Sequence, residues 1–285
     1  MPSEITDCLG SGDGAFLLPA GYVDDDGVLH RQVDLTQLTG REEEYLTSAP
    51  AQLSAAAVIT QLLTRCVQRI GDLPTVDTAL IRNLLVSDRE YLILKLWQIT
   101  NGNKLRLILP CRSEECGKGM QIDLSLAEVP IRAQPLLTRT FRLERNDMEF
   151  RLPTGGDQEA LTGHVDDADC VEQLLRRCIV RMPAGLDLQE IRPAMEKRME
   201  ELIPRPLLEV EGVCPECGLQ FSSTLDLPEL VLSQAAELSQ RLPYDVHRLA
   251  WNYHWPEGEI LSMPRAKRFR YLHLLDDELE RMNVS

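Results

Sequence analysis

Four cysteines in two short knuckles are the residues whose types and spacing carry recognisable chemistry. Cys214-Pro215-Glu216-Cys217-Gly218 sets two thiolates two residues apart, with a glycine where the chain must turn back. Upstream, Cys111 and Cys116 are separated by four residues and again followed by a glycine, Gly117. Paired cysteines with two to four residues between them are the ligand spacing of structural zinc, which takes four protein ligands in a tetrahedron. One knuckle supplies two, so the second pair has to come from elsewhere in the chain.

The surrounding segments supply the reason to join them. "KLRLILPCRSEECGKGMQIDLSL" (104–126) and "RPLLEVEGVCPECGLQFSSTLDL" (205–227) share one texture. Each runs from an apolar strand through Cys, a short gap and Cys-Gly to an apolar residue three positions on (Met120, Phe221), and ends in Asp-Leu. Two such hairpins facing each other make a split ribbon with Cys111, Cys116, Cys214 and Cys217 as ligands. Four thiolates close the coordination sphere, so the expected zinc is structural and its binding energy counts as folding energy. An unmetallated loop at 111–116 beside a redox pair at 214 and 217 is the competing reading.

Other constellations are weaker. Zinc deaminases need His-x-Glu, and none of the five histidines stands in that context. Cys214 and Cys217 lead into an extended "GLQFSSTLDL", whereas a thioredoxin-like pair opens a helix. Cys170 and Cys178 share a helix face near His164, but no orienting carboxylate or oxyanion donor accompanies them, which favours core thiols. "PTGGD" lacks the Lys of a phosphate loop and reads as a capping box, Thr154 to Asp157. Asp24-Asp25-Asp26 has no calcium-loop spacing and reads as a solvated hairpin tip. The expectation is a protein that is not an enzyme.

The elements around these residues follow from periodicity. Residues 1–15 are polar and read as a mobile arm. A β-hairpin follows, turning at Asp25-Asp26-Gly27, and then a capping box of Thr39 and Glu42 opens a helical section to about 103, interrupted at 48–50 and 71–74. Within it "SAAAVITQLLTRCVQRI" is read as one amphipathic helix with Cys66 on its apolar face. The ribbon spans 104–227, with an insertion over about 140–204: a hairpin turning near Asn146-Asp147, then helix in two pieces split at Pro183-Ala184-Gly185. Residues 228–285 form a helical lobe with breaks at Pro243, Pro256 and Pro264. The fold class expected is therefore α+β.

With 285 residues, 44% hydrophobic and 26% charged, the chain can bury a sizeable core. A net charge of −15 disfavours a phosphate-backbone partner and suits either a soluble protein or docking on a basic surface. No apolar run reaches membrane-spanning length, and the first residues do not read as a signal peptide, so cytoplasm is the expected setting. In the last lobe His247, Trp251 and His254-Trp255 recur at helical spacing, beside Tyr253 and the one dense basic cluster, "PRAKRFR" with Arg265 and Arg268. These rings either fill a small core or, with the arginines, form a partner anchor, since Trp, Tyr and Arg dominate interface hot spots.

Three stretches together resemble the baseplate hub assembly chaperone family of contractile-tailed phages and extracellular contractile injection systems: "LPAGYVDDDGVLHRQVDLTQLTGREEEYL", the paired Cys hairpins flanking "FRLPTGGDQEAL", and "HRLAWNYHWPEGEILSMPRAKRFRYL". The resemblance covers about residues 16–282 and brings no catalytic residues. It implies help in building a hub or spike in the bacterial host cell, with hub or spike proteins as partners and no nucleic acid, membrane or small-molecule substrate. A permanent structural component of the baseplate is the alternative.

Overall fold

In the computed structural model, strand β1 (Gly14–Val23) and β2 (Leu29–Leu35) pair antiparallel around a tip at Asp24–Gly27, where the Gly27 amide donates to the Asp24 carbonyl. The structure describes residues 14–49, 53–113, 115–131, 133–143, 147–161, 167–203 and 208–283. Residues 1–13 of the expected arm, His164, and Asn146 at the expected second hairpin turn lie outside the described residues. Gly14 and Ala15, also assigned to the arm, are paired in β1 with Leu35 and Asp34.

Thr39 caps helix α1 (Gly40–Ser48), and the Glu42 carboxylate accepts from the Thr39 amide at 3.0 Å, as the capping-box spacing requires. Helix α2 (Ala55–Cys66) starts on the Ser54 hydroxyl and stops earlier than its periodicity predicts. Residues Val67–Ile70 are strand β3, added antiparallel to β2 with Val33 opposite Ile70. The apolar period of "RCVQRI" suits a helix, but pairing on the open edge of β2 places Val67 and Ile70 in the core and wins.

Helices α3 (Thr78–Asn83) and α4 (Val86–Asn101) follow, and α4 is buried over most of its surface, from Leu92 and Ile93 to Trp97 and Ile99, with a half-buried stripe at Tyr91, Lys95 and Gln98. It is the centre of the largest core, which takes Leu18, Val33 and Leu35 from the sheet, Leu62 and Leu63 from α2, and Leu227 and Val231 from helix α8 (Leu227–Ser239). Leu105 and Leu107, at the base of β4 (Lys104–Pro110), and Leu225, at the end of β10 (Gln220–Leu225), belong to the same core. Both ribbon hairpins, β4–β5 (β5, Gly119–Ser125) and β9–β10 (β9, Leu208–Val213), therefore grow from one apolar base.

The insertion holds a second core. Strands β6 (Thr140–Leu143), β7 (Met148–Arg151) and β8 (Ile179–Arg181) form a sheet covered by helices α6 (Asp167–Cys178) and α7 (Leu188–Leu202), around Met148, Phe150, Ile191 and Met195. The third strand, β8, occupies the end of the stretch read as helix before Pro183. Thr154 and Asp157 cap α5 (Gly155–Ala160). Asp157 is buried and accepts from Arg151 at 2.5 and 2.9 Å and from Arg177 at 3.0 Å, fastening α5 to β7 and α6.

Helices α9 (Leu242–Tyr253), α10 (Glu257–Leu261) and α11 (Arg265–Asn283) complete the chain around Leu249, Ile260 and Leu272. Pro243 lies in the first turn of α9, where its missing N–H costs nothing, so the helix breaks before it at Gln240 and Arg241. The architecture is α+β, and no described helix is long and apolar enough to cross a membrane.

Candidate metal centre and docking face

The sulfurs of Cys111, Cys116, Cys214 and Cys217 all lie within 4.8 Å of one another. The close pairs cross between hairpins: Cys111 to Cys217 at 3.6 Å and Cys116 to Cys214 at 3.9 Å. Metal–sulfur bonds near 2.3 Å in a tetrahedron place sulfurs about 3.8 Å apart, so the two short edges bracket the value a zinc site needs. No disulfide is formed among the described cysteines.

Backbone geometry makes each knuckle. The Cys111 amide donates to the Lys118 carbonyl at 2.9 Å, and the Cys116 amide to the Ser113 carbonyl at 3.0 Å. In the second hairpin the Cys214 amide donates to the Leu219 carbonyl at 2.8 Å and the Gly218 amide to the Cys214 carbonyl at 2.9 Å. Gly117 and Gly218 both take positive φ, 55° and 74°, a region where a side chain is strained. Met120 and Phe221, matched in the sequence texture, both pack against the cysteines as an apolar floor. Lys118 ties one knuckle to the other by an exposed ion pair to Glu216 at 2.5 Å.

The thiols hold one another in unequal states. Backbone N–H groups of Cys217 and Glu216 bring the Cys214 thiol down to about 7. A backbone hydrogen bond at Ser113 favours the Cys111 thiolate, but burial and the neighbouring sulfurs outweigh it and push Cys111 up to about 12. Cys116 is raised as well. Four sulfurs this close resist being thiolates together unless a cation sits among them, and that is the chemistry a metal supplies. Were all four sulfurs to bind one ion, no position on it would remain for water or substrate.

Cys66 and Cys178 are buried core thiols. Burial pushes Cys66 up, and it pushes Cys178 to about 12 against the pull of Arg151.

The aromatic and basic candidates divide. Trp251 is 73% exposed on α9, with the His247 ring stacked beside it at 6.3 Å, and Tyr244 on the same helix is 56% exposed. Tyr244, His247 and Trp251 form one solvent-facing stripe at helical spacing. Tyr244 went unnoticed in the sequence although it stands one turn before His247. Tyr253 and Trp255 turn the other way, stacked on each other at 4.7 Å and packed edge-on against Tyr271.

Arg265 and Arg268 are buried, contrary to the expectation that they join the rings in a partner anchor. Both grip the buried carboxylate of Glu43, Arg268 at 2.6 Å and Arg265 at 3.1 Å. Arg265 also reaches the Ser239 hydroxyl, and Arg268 the Met263 carbonyl. A buried acid on α1 drew them inward, and that acid is far from them in sequence.

A family model described as T4 bacteriophage base plate protein matches residues 25–182, more than half of the chain. The match takes in the first knuckle and ends before the second. No curated protein and no solved structure matches.

Proposed function

The chain belongs to the T4 bacteriophage base plate protein family, and from that premise we propose that it is a non-enzymatic assembly factor for the hub or spike of a phage-like contractile tail or injection system. It works in the cytoplasm of the bacterial host, binding hub or spike proteins while the particle is built. The observation that carries the docking part of this reading is Trp251, a large ring 73% exposed beside His247 and Tyr244. Exposed aromatics at helical spacing are what a partner buries as an interface anchor. The charge of −15 suits a cap that stays apart from its own copies and meets a basic client surface.

Zinc held by Cys111, Cys116, Cys214 and Cys217 is the metal we assign to the ribbon, in a structural role. The donor set supports it: four thiolates, tetrahedral sulfur spacing and no fifth polar group among the grouped ligands. The ion would clamp two hairpins otherwise joined by their apolar base, the Met120 and Phe221 floor and surface contacts such as Lys118–Glu216.

The experiment is a tagged capture from cells during assembly, followed by a search for the same chain in purified finished particles. Hub or spike proteins in the first and no chain in the second is the expected result. Stoichiometric presence in both would make it a permanent component of the baseplate. Absence of baseplate proteins from the capture would overturn the reading.

A further inference from the structure

Beside the cysteine cluster, between the two hairpins, lies a cleft of about 190 Å³ that Cys111 borders. Leu109 and Met120 line it from the first hairpin, Leu219 and Phe221 from the second. Pro110, Cys111, Arg112 and Ser223 complete the lining, with the Arg112 guanidinium donating to the Ser223 hydroxyl at 3.4 Å. A cavity of about 150 Å³ with such walls holds a benzene ring, so this one is large enough for a single aromatic or long aliphatic side chain.

Two further features point to an occupant. Leu219, in that lining, is a large aliphatic side chain left 41% exposed. A large aliphatic side chain left open beside an apolar hollow suits a surface that another chain covers. The charges are also unequal. Lys118 is already paired with Glu216, whereas Arg112 is exposed and meets no carboxylate among the described residues. In a chain of net charge −15, an exposed guanidinium that meets no carboxylate among the described residues, beside an apolar hollow, selects an acid on the incoming molecule.

We propose that this cleft docks an extended segment of a baseplate partner, one large apolar side chain filling the hollow and a neighbouring Asp or Glu reaching Arg112. The segment's source rests on the baseplate reading above; the chemistry of the cleft does not. Four ligands fixing both hairpins keep the hollow open before binding, which lowers the ordering cost.

The test titrates N-acetyl-Phe-Glu-amide, N-acetyl-Phe-Gln-amide and N-acetyl-Ala-Glu-amide into the full metal-loaded chain with labelled Leu and Met methyl groups. The Phe-Glu compound should shift the methyls of Leu109, Met120 and Leu219. Loss of the ring should weaken binding at least about tenfold, and loss of the acid roughly two- to fivefold, the range of an exposed ion pair. In Arg112→Gln the acid should no longer matter while the ring still does. No shift at these methyls, or equal binding of all three compounds, would overturn the cleft. Shifts that follow protein concentration without ligand would assign the hollow to a second copy instead, and also overturn it. Peptides tiled across the hub and spike proteins should then displace the Phe-Glu compound. Dipeptide binding with no displacing tile would overturn the source of the segment and leave the chemistry standing.

Discussion

Glu43 and Arg268 meet at 2.6 Å with neither side chain reaching water, although 225 positions separate them in the chain. Together with Arg265, also on Glu43, this contact joins the C-terminal helices to α1 in the first half of the protein. Its worth lies in what happens when one member is lost. Glu43→Ala would leave two buried guanidinium groups without their shared anion, and breaking a buried pair in this way costs about 3–5 kcal/mol. Urea unfolding should show the midpoint fall accordingly. A loss under about 1 kcal/mol would mean that water reaches the arginines.

Removing one thiolate tests the ribbon. Cys217→Ser should lower bound zinc well below one per chain and lower the melting temperature. A strong chelator should melt the wild type towards the variant, since metal binding and folding are one free energy here. Elemental analysis beside a thermal melt reads both, and unchanged zinc together with an unchanged melt would refute the split site.

Two buried aspartates give stability an opposed dependence on acid. Burial alone would raise Asp157, but the hydrogen bonds of Arg151 and the Thr154 backbone outweigh it and bring the carboxyl down to about 2. Its folded value lies below the unfolded one near 4, so its contribution, on the order of 2 kcal/mol, is present above about pH 4 and is lost as pH falls towards 2. Asp88 goes the other way. Burial raises it to about 6 against two backbone N–H bonds from Ala20 and Gly21. The native state then takes up a proton before the unfolded chain does, and this group adds stability as pH falls from about 7 to 4. Unfolding free energies over that range should show the gain in the wild type and lose it in Asp88→Asn. Asp157→Asn should flatten the decline below pH 4.

Trp251→Ala separates docking from packing. Because the ring stands in solvent, truncation should change unfolding stability by less than about 0.5 kcal/mol. If the stripe is an anchor, affinity for the captured hub or spike protein should fall by about 2 kcal/mol or more. A stability loss with affinity unchanged would return the ring to the core. Trp255→Ala serves as contrast: packed on Tyr253 and Tyr271, it should destabilise the fold.

What was legible in the sequence was whatever short-range chemistry decides. Thr39 with Glu42, and Thr154 with Asp157, close capping boxes within one helical turn. The four cysteines were legible because the same texture occurs twice around them, and each copy proclaims a hairpin. Val67–Ile70 was not, since its apolar period is that of a helix and only the open edge of β2 makes it a strand. Arg265 and Arg268 were misplaced for the same kind of reason. Nothing within a local window tells an exposed basic run from one that a buried Glu43 will claim.

Cys116 and Cys214 lie 98 positions apart, and that interval is also time. At about 5–20 residues per second of synthesis, the first knuckle waits on the order of ten seconds for its partner to leave the ribosome. Throughout that wait a metal would find only two sulfurs and an open coordination sphere. Firm capture would come only once the second hairpin had been made and folded back, so a chain truncated before Cys214 would keep its thiols and hold no ion. A bound ion would thus report that the chain had been made and folded at least as far as Cys217.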